Sequence, residues 1–160
     1  MAGYLPRKFE ISPHNPRVLA VAWYALTENS VMKTILLADD DPAIRQTLGQ
    51  VLALEQYNVV FAATGRETAA QFISHVPDLV LLDLNMPDRD GWEAFNLINS
   101  THPAVPVIVI TARPHQHERA ASLGVASLLE KPLDIPSLLK TVRDLLDEPR
   151  EKRTTGLAAA

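Results

Sequence analysis

PDLVLLDLNMPDRDG, residues 77–91, is the stretch that decides the fold. Four apolar residues, Leu79 to Leu82, run directly into Asp83, and a turn-rich segment containing Pro87 and Gly91 follows. A continuous apolar run of this length is typical of a strand buried on both faces of a parallel sheet. Since α/β folds place ligands at the carboxyl ends of such strands, Asp83 is predicted to lie at the mouth of a crevice.

On both sides of this stretch, short apolar strands alternate with amphipathic helical segments. The predicted strands are residues 34–38, 59–62, 79–82, 107–111 and 126–129, and the predicted helices are residues 42–56, 65–75, 92–100, 115–123 and 136–147. Asp41 is the predicted N-cap of the first helix, and Ala69, Phe72 and Ile73 are predicted to face inward from the second. Five strand-helix units in strict alternation predict an α/β fold with a doubly wound, five-stranded parallel sheet and helices on both faces.

Composition limits the classes of protein to consider. A chain of 160 residues with 47% apolar residues has room for one ordinary core, and its formal charge of −4 gives no general attraction to nucleic acid or anionic membranes. The longest apolar run, Val18 to Leu26, is too short to span a bilayer. The absence of cysteine excludes disulfides and thiolate metal sites. We therefore expect a cytoplasmic protein with no direct nucleic-acid partner and no membrane partner.

The two ends of the chain differ in pattern from its middle. Residues 1–31 are predicted to form an N-terminal extension, with a short amphipathic helix over 16–28 that carries Trp23. This extension is either a poorly ordered leader or a segment that packs on the main domain or a second chain. Residues 32–148 are the predicted domain, and residues 149–160 are predicted to be a disordered tail.

Polar side chains gather where the predicted strands end. Asp39, Asp40 and Asp41 follow the first strand, Asp83 follows the third, Thr111 ends the fourth, and Lys131 comes just after the fifth. In a sheet of strand order 2-1-3-4-5 these positions share one edge, with the acids at the topological switch point. Neighbouring carboxylates stay ionised only near a cation, and oxygen ligands with few protein donors favour Mg²⁺. Asp83 could then attack phosphorus, with Lys131 and Thr111 stabilising the phosphoryl oxygens.

Four segments, ILLADDDP, LVLLDLNMPDRDG, VIVITA and LLEKP, resemble the sequence blocks of the response regulator receiver family, which has a flavodoxin-like fold. The resemblance covers about residues 33–148. It implies that Asp83 is the phosphorylation site and that Asp39, Asp40, Asp83 and the backbone carbonyl of Asn85 bind Mg²⁺. It also implies that Thr111 is the switch hydroxyl and that Lys131 contacts the phosphoryl group.

The resemblance further implies the partners. Receivers take their phosphoryl group from a histidine kinase or a histidine phosphotransfer protein and then act on a downstream target protein. The face formed by the fourth helix, the fifth strand and the fifth helix is expected to meet that target or a second copy of the chain, as a homodimer. Ala120, Ala121, Leu123 and Leu128 are predicted to make this face moderately apolar.

Three residues are relevant to how such a receiver would change conformation on phosphorylation and how fast it would lose the phosphoryl group. Leu128 stands where the family has an aromatic residue that turns inward as the threonine moves, so the usual coupling of these two residues is in doubt. Asn85 and Arg113 hold the positions that line the approach of hydrolytic water in this family. We hypothesise that Arg113 shields the acyl phosphate and slows its loss.

Two other classes of function remain open from the sequence. A metal-dependent aspartyl phosphatase or phosphotransferase also uses an aspartate after a strand, but it normally has a second acid where this chain has Asn85. A receiver-like interaction module that signals without phosphate is the other. The intact set of acids argues against it, although Leu128 keeps it open. The leading interpretation is a signalling module, not an enzyme, present either as a stand-alone receiver or as part of a longer protein.

Overall fold

The computed structural model describes residues 32–86, 91–113 and 115–148. Contacts within the chain separate residues 1–32 from residues 33–160, and apart from Met32 the described residues belong to the second unit. The helix predicted over 16–28 and the tail predicted from residue 149 lie outside the described residues. The predicted domain boundaries therefore stay predictions.

Five parallel strands form one sheet in the order β2-β1-β3-β4-β5. The strands are β1 Thr34–Ala38, β2 Asn58–Ala62, β3 Leu79–Asp83, β4 Val107–Thr111 and β5 Ser127–Glu130. The helices are α1 Pro42–Leu54, α2 Gly65–His75, α3 Gly91–Thr101, α4 His117–Leu123 and α5 Ile135–Asp147. The predicted fold class and strand order are confirmed.

The central strands send alternate side chains into two separate apolar clusters, because successive residues of a strand point to opposite faces. In β3, Val80 and Leu82 join a cluster on the face covered by α2, α3 and α4. Leu79 and Leu81 join the second cluster, on the face covered by α1 and α5. All five residues of β3 and of β4 are buried, which explains why both strands appear in the sequence as continuous apolar runs.

Most element ends follow the local signals of the sequence. Asp41 caps α1, accepting hydrogen bonds from the backbone N–H groups of Ala43 and Ile44. Gly124 ends α4 in the left-handed region with φ of 75°. α4 begins two residues later than predicted, at His117, and β3 extends one residue further, so that Asp83 is its last residue.

The prediction that Ile73 faces inward is wrong. The buried residues of α2 are Gly65, Thr68 and Phe72, and Ile73 is 69% exposed. α2 packs beside β2 at the edge of the sheet and buries only a narrow stripe, so the residue one step around the helix from Phe72 faces solvent. None of the described helices has the length and apolarity needed to cross a membrane.

Candidate functional site

The register of the sheet places the predicted site residues at one edge. β1 and β3 are neighbours with Ala38 opposite Leu82, so Asp39, which follows β1, lies beside Asp83 at the end of β3. β4 flanks β3 on its other side and ends in Thr111. The parallel arrangement therefore gathers residues from distant parts of the chain at the carboxyl ends of adjacent strands.

Three carboxylates converge at this edge. One oxygen from each of Asp39, Asp40 and Asp83 lies within 4.8 Å of the other two. Asp39 and Asp83 are each 1% exposed, whereas Asp40 is exposed. The backbone N–H of Asp41 donates to Asp39 Oδ1 at 2.9 Å, and that of Asn85 donates to Asp83 Oδ1 at 3.0 Å. These backbone bonds fix both buried carboxylates and leave the second oxygen of each for another partner.

Lys131 supplies that partner. Its Nζ donates to Asp39 Oδ2 at 2.8 Å and to Asp83 Oδ2 at 2.9 Å, and its backbone N–H donates to the carbonyl of Thr111 at 2.9 Å. Burial lowers the pKa of the Lys131 ammonium group, but the hydrogen bonds and charges of Asp39 and Asp83 outweigh burial, so that its pKa is raised. Lys131 therefore stays charged and joins β5 to the ends of β1 and β3.

The pKa of Asp39 is also raised. Burial is the largest cause, and it outweighs the hydrogen bonds from Lys131 and from the N–H of Asp41, which lower this pKa. The nearby charge of Asp83 raises it further. Because three carboxylates lie together here and the one ammonium group contacts two of them, this cluster carries excess negative charge that a bound cation would offset.

The structure places the remaining predicted site residues on β4, on β5 and in the loops after β3 and β4. Thr111 is fully buried, and its Oγ1 accepts the backbone N–H of Arg113 at 2.9 Å. The Nε of Arg113 donates to the side-chain oxygen of Asn85, so these two residues join the loops after β3 and β4. Leu128 lies in β5 opposite Val109 and packs, partly buried, against the apolar cluster of α2, α3 and α4.

Some contacts of the site were not predicted from the sequence. Arg45 of α1 donates from Nη1 to the backbone carbonyl of Asp39 at 2.5 Å. Its spacing, six residues after Asp39 and in the first turns of α1, gave no signal of this contact, because arginine is also common on solvated helix faces. The contact between Arg113 and Asn85 was not predicted either, although both residues were assigned to the approach of water.

The donor atoms at this edge are those that Mg²⁺ prefers. Carboxylate oxygens at the carboxyl ends of β1 and β3 lie close enough to share one hard divalent ion, and the exposure of Asp40 leaves that side of the site open to solvent. The same cluster offers the Asp83 carboxylate as a nucleophile beside a fixed positive charge. The arrangement fits phosphoryl transfer to a side chain.

The chain matches a family model described as the response regulator receiver domain over residues 35–143. A curated relative, response regulator MprA of Mycolicibacterium vanbaalenii, is 38% identical over 128 residues, which are 79% of this chain and 55% of that protein. Response regulator MprA of Mycobacterium avium is 39% identical over 114 residues, 70% of this chain and 50% of that protein.

Solved structures show the same likeness. A CheY-like receiver domain protein from Methanospirillum hungatei is 31% identical, with a TM-score of 0.71 over 76% of this chain and 98% of its own. Response regulator TrrA of Thermotoga maritima, solved in complex with Mg²⁺-BeF, is 32% identical, with a TM-score of 0.67 over 71% of this chain and 99% of its own.

The chain spans about half the length of the curated relatives that it matches. The expectation of no direct nucleic-acid partner was drawn from the charge of these 160 residues alone. It does not extend to a protein of the relatives' length.

Proposed function

This chain belongs to the response regulator receiver domain family, and we propose that it accepts a phosphoryl group on Asp83 from a histidine kinase or a histidine phosphotransfer protein. One observation carries the proposal, namely the convergence of Asp39, Asp40 and Asp83 at the switch point of the sheet, where Lys131 contacts Asp39 and Asp83. The receiver then acts as a switch, because a mixed anhydride on a carboxylate is open to hydrolysis.

The transfer step uses the carboxylate of Asp83. A carboxylate oxygen attacks phosphorus and forms an O–P bond, while the bond from phosphorus to the donor nitrogen breaks and its electron pair returns to that nitrogen. Asp83 Oδ1 is fixed by the N–H of Asn85, so the side chain is oriented before the donor arrives. This pre-organisation lowers the entropic cost of the attack.

Asp39, Asp40 and Asp83, with the backbone carbonyl of Asn85, would hold Mg²⁺. When bound, Mg²⁺ supplies positive charge that offsets the negative charge of the phosphoryl oxygens. The burial and excess negative charge of the carboxylate cluster support this assignment. The Mg²⁺-BeF complex of the similar protein TrrA supports it as well.

Lys131 and Thr111 would stabilise the transferred group. The ammonium group of Lys131, already placed against Asp83, can turn from the carboxylate to a phosphoryl oxygen without moving its backbone, which the carbonyl of Thr111 holds. The hydroxyl of Thr111 would donate to a second phosphoryl oxygen and so act as the switch hydroxyl, whereas Leu128 has no polar atom to take part.

The partners follow from this chemistry. An apolar groove of about 360 Å³ lies beside the site and is lined by residues of α1 and of the loop after β5, namely Ala43, Ile44, Thr47, Leu48, Lys131, Pro132 and Leu133. Lys131 lines the groove and contacts Asp83, so a helix seated there would bring a donor histidine to the phosphoacceptor. We assign this groove to the protein that donates the phosphoryl group. The downstream target would bind the phosphorylated form of the chain.

Acetyl phosphate with Mg²⁺ tests the proposal directly. We expect intact-mass measurement to show one phosphoryl adduct on the wild-type protein and none on Asp83→Asn. The adduct should persist on Asp144→Asn, a change at an exposed acid of α5. Absence of the wild-type adduct would favour a phosphate-independent interaction module, and turnover of phosphomonoesters would favour a phosphatase.

A further inference from the structure

The phosphoacceptor end of β3 meets the first turn of α3 through backbone atoms. Gly91 begins α3, and its N–H donates to the carbonyl of Leu84 at 3.4 Å. A Cβ placed on Gly91 would lie 2.6 Å from the carbonyl oxygen of Asp83 and 2.6 Å from the Cα of Leu84. With no flexible side chain between them, a shift of the backbone at Asp83 must move the start of α3.

The next residue, Trp92, links this start of α3 to α4. Trp92 is 1% exposed, and its Nε1 donates to Gln116 Oε1, the residue before α4, at 3.3 Å. The guanidinium carbon of Arg119, in α4, lies 4.7 Å from the centre of the Trp92 ring. Phe95 packs edge-on against the same ring, with centroids 5.9 Å apart. The indole is therefore held firmly, and it contacts α4 through both its polar edge and its face.

A second, more exposed contact ties α4 to the other side of the site. His117, the first residue of α4, lies 3.1 Å from Glu130, and Glu130 directly precedes Lys131. Both side chains are more than half exposed, so this pair is weaker than the buried indole contact. Of these two polar contacts of α4, the one through Trp92 is thus the stronger.

We propose that Trp92 is the positioning residue that transmits phosphorylation of Asp83 to α4, in place of the threonine-to-aromatic coupling that Leu128 cannot provide. The side chain of Leu128 has no hydrogen-bonding atom, and it packs against the same apolar cluster as Trp92. It therefore has no hydrogen bond that could break or form when Asp83 is phosphorylated. The indole has one, to Gln116, and it sits one residue from the backbone that touches Asp83. This inference rests on the proposed phosphorylation of Asp83.

Hydrogen exchange of the α4 amides, with and without acetyl phosphate and Mg²⁺, tests the inference on the full chain. Trp92→Phe keeps an aromatic ring but removes the N–H donor, and Gln116→Leu removes the acceptor while leaving Trp92 in place. Ser122→Ala is the matched control, because the Ser122 hydroxyl bonds only to the carbonyl of Arg119 in the same helix among the contacts found. Phosphoryl occupancy is measured on each sample by intact mass.

We expect phosphorylation to change α4 exchange by about fivefold or more in the wild type and in Ser122→Ala, and by less than about twofold in Trp92→Phe and Gln116→Leu at equal occupancy. An equal response in all four proteins would overturn the role of Trp92, and so would a fully phosphorylated wild type whose α4 exchange is unchanged. Gln116→Leu decides the outcome where Trp92→Phe fails to fold. An unphosphorylated wild type would overturn the proposed function itself, and this inference with it.

Discussion

At the scale of single residues, the ammonium group of Lys131 lies between two carboxylates that are almost wholly buried. Its own side chain is 20% exposed, so solvent screens the pair only in part. Removing the ammonium group leaves Asp39 and Asp83 facing each other without compensation. The free energy of folding in the absence of metal therefore depends on this one side chain more than on any surface ion pair.

We predict that Lys131→Met lowers the free energy of unfolding by about 2–3 kcal/mol in metal-free buffer, less than the penalty for a fully buried pair because Lys131 is partly exposed. Mg²⁺ should restore stability to this variant by more than it stabilises the wild type, since a divalent ion replaces the lost charge. Urea unfolding with and without Mg²⁺ measures both effects.

Lys140→Met is the control for that change, because Lys140 forms an exposed pair with Asp144 on α5. We expect a loss of less than about 1 kcal/mol and the wild-type response to Mg²⁺. Equal losses in the two variants would show that the charge of Lys131 is not needed to balance the buried acids.

Arg113, in the loop after β4, donates to the side-chain oxygen of Asn85, in the loop after β3. Under the proposed function, we expect these two residues to line the approach of water to the acyl phosphate on Asp83. We predict that Arg113→Ala loses its phosphoryl group about three- to tenfold faster than the wild type, the range expected from one lost hydrogen bond. Decay of the adduct after removal of acetyl phosphate gives the rate. Arg143→Ala, which breaks a pair with Glu55 at the far ends of α1 and α5, should decay at the wild-type rate.

The positions of the site residues could be predicted from the sequence, but their contacts could not. Asp39, Asp83 and Thr111 follow from strand ends, which hydrophobic runs mark clearly. The bond from Arg45 to the carbonyl of Asp39 depends on a side-chain conformation that no periodicity specifies. The hydrogen bond of Trp92 to Gln116 depends on side-chain conformation in the same way.

At the scale of elements, two glycines mark close approaches of different kinds. A Cβ at Gly91 would meet backbone atoms of β3, whereas a Cβ at Gly49 in α1 would meet the far end of the Phe61 ring at 2.6 Å. The Phe61 side chain is 44% exposed and can move aside, but the backbone of a central strand cannot. The two sites should therefore respond differently to the same substitution.

We predict that Gly91→Ala lowers the free energy of unfolding by about 1–3 kcal/mol and slows phosphorylation by acetyl phosphate, because the start of α3 must move away from Asp83. Gly49→Ala should stay within about 1 kcal/mol of the wild type, since the gain in helix propensity offsets the shift of Phe61. Urea unfolding and adduct formation measure the two properties. A Gly91→Ala variant as stable and as reactive as the wild type would contradict the close packing described here.

Element boundaries and buried faces show what the sequence pattern does not determine. The central strands were clear in the sequence because both of their faces are covered, which gives continuous apolar runs. The face of α2 was predicted less well, since Ile73 is apolar and yet 69% exposed. The apolar residues of a helix do not by themselves show how wide its buried face is.

At the scale of the whole molecule, the fold separates the groove proposed for the phosphodonor from the helix proposed to respond to phosphorylation. α1 and its groove lie on one face of the sheet with α5, and α4 lies on the other face with Trp92. The predicted homodimer through α4, β5 and α5 stays a prediction. Ala120 is 4% exposed and Leu123 and Leu128 pack against the core, so these three residues give that face less apolar surface than the sequence suggested.

The groove beside Lys131 should affect the rate of phosphoryl transfer from a protein donor but not from a small-molecule donor. Thr47 is exposed and lines the groove, so Thr47→Glu places a charge where a donor helix would bury apolar surface. We predict that this variant accepts phosphate from a histidine kinase about tenfold more slowly than the wild type, the effect of losing about 1.4 kcal/mol at an interface. Its reaction with acetyl phosphate should be unchanged, because that donor is too small to need the groove.

Gln46→Glu makes a matched comparison, since it adds the same charge to the neighbouring position of α1, is exposed, and does not line the groove. Both variants are measured with one kinase preparation that phosphorylates the wild-type protein. If Gln46→Glu slows transfer as much as Thr47→Glu does, the cause is the added charge and not the groove. If both donors are slowed in Thr47→Glu, the substitution has disturbed Asp83 itself, since Lys131 connects the groove to the phosphoacceptor.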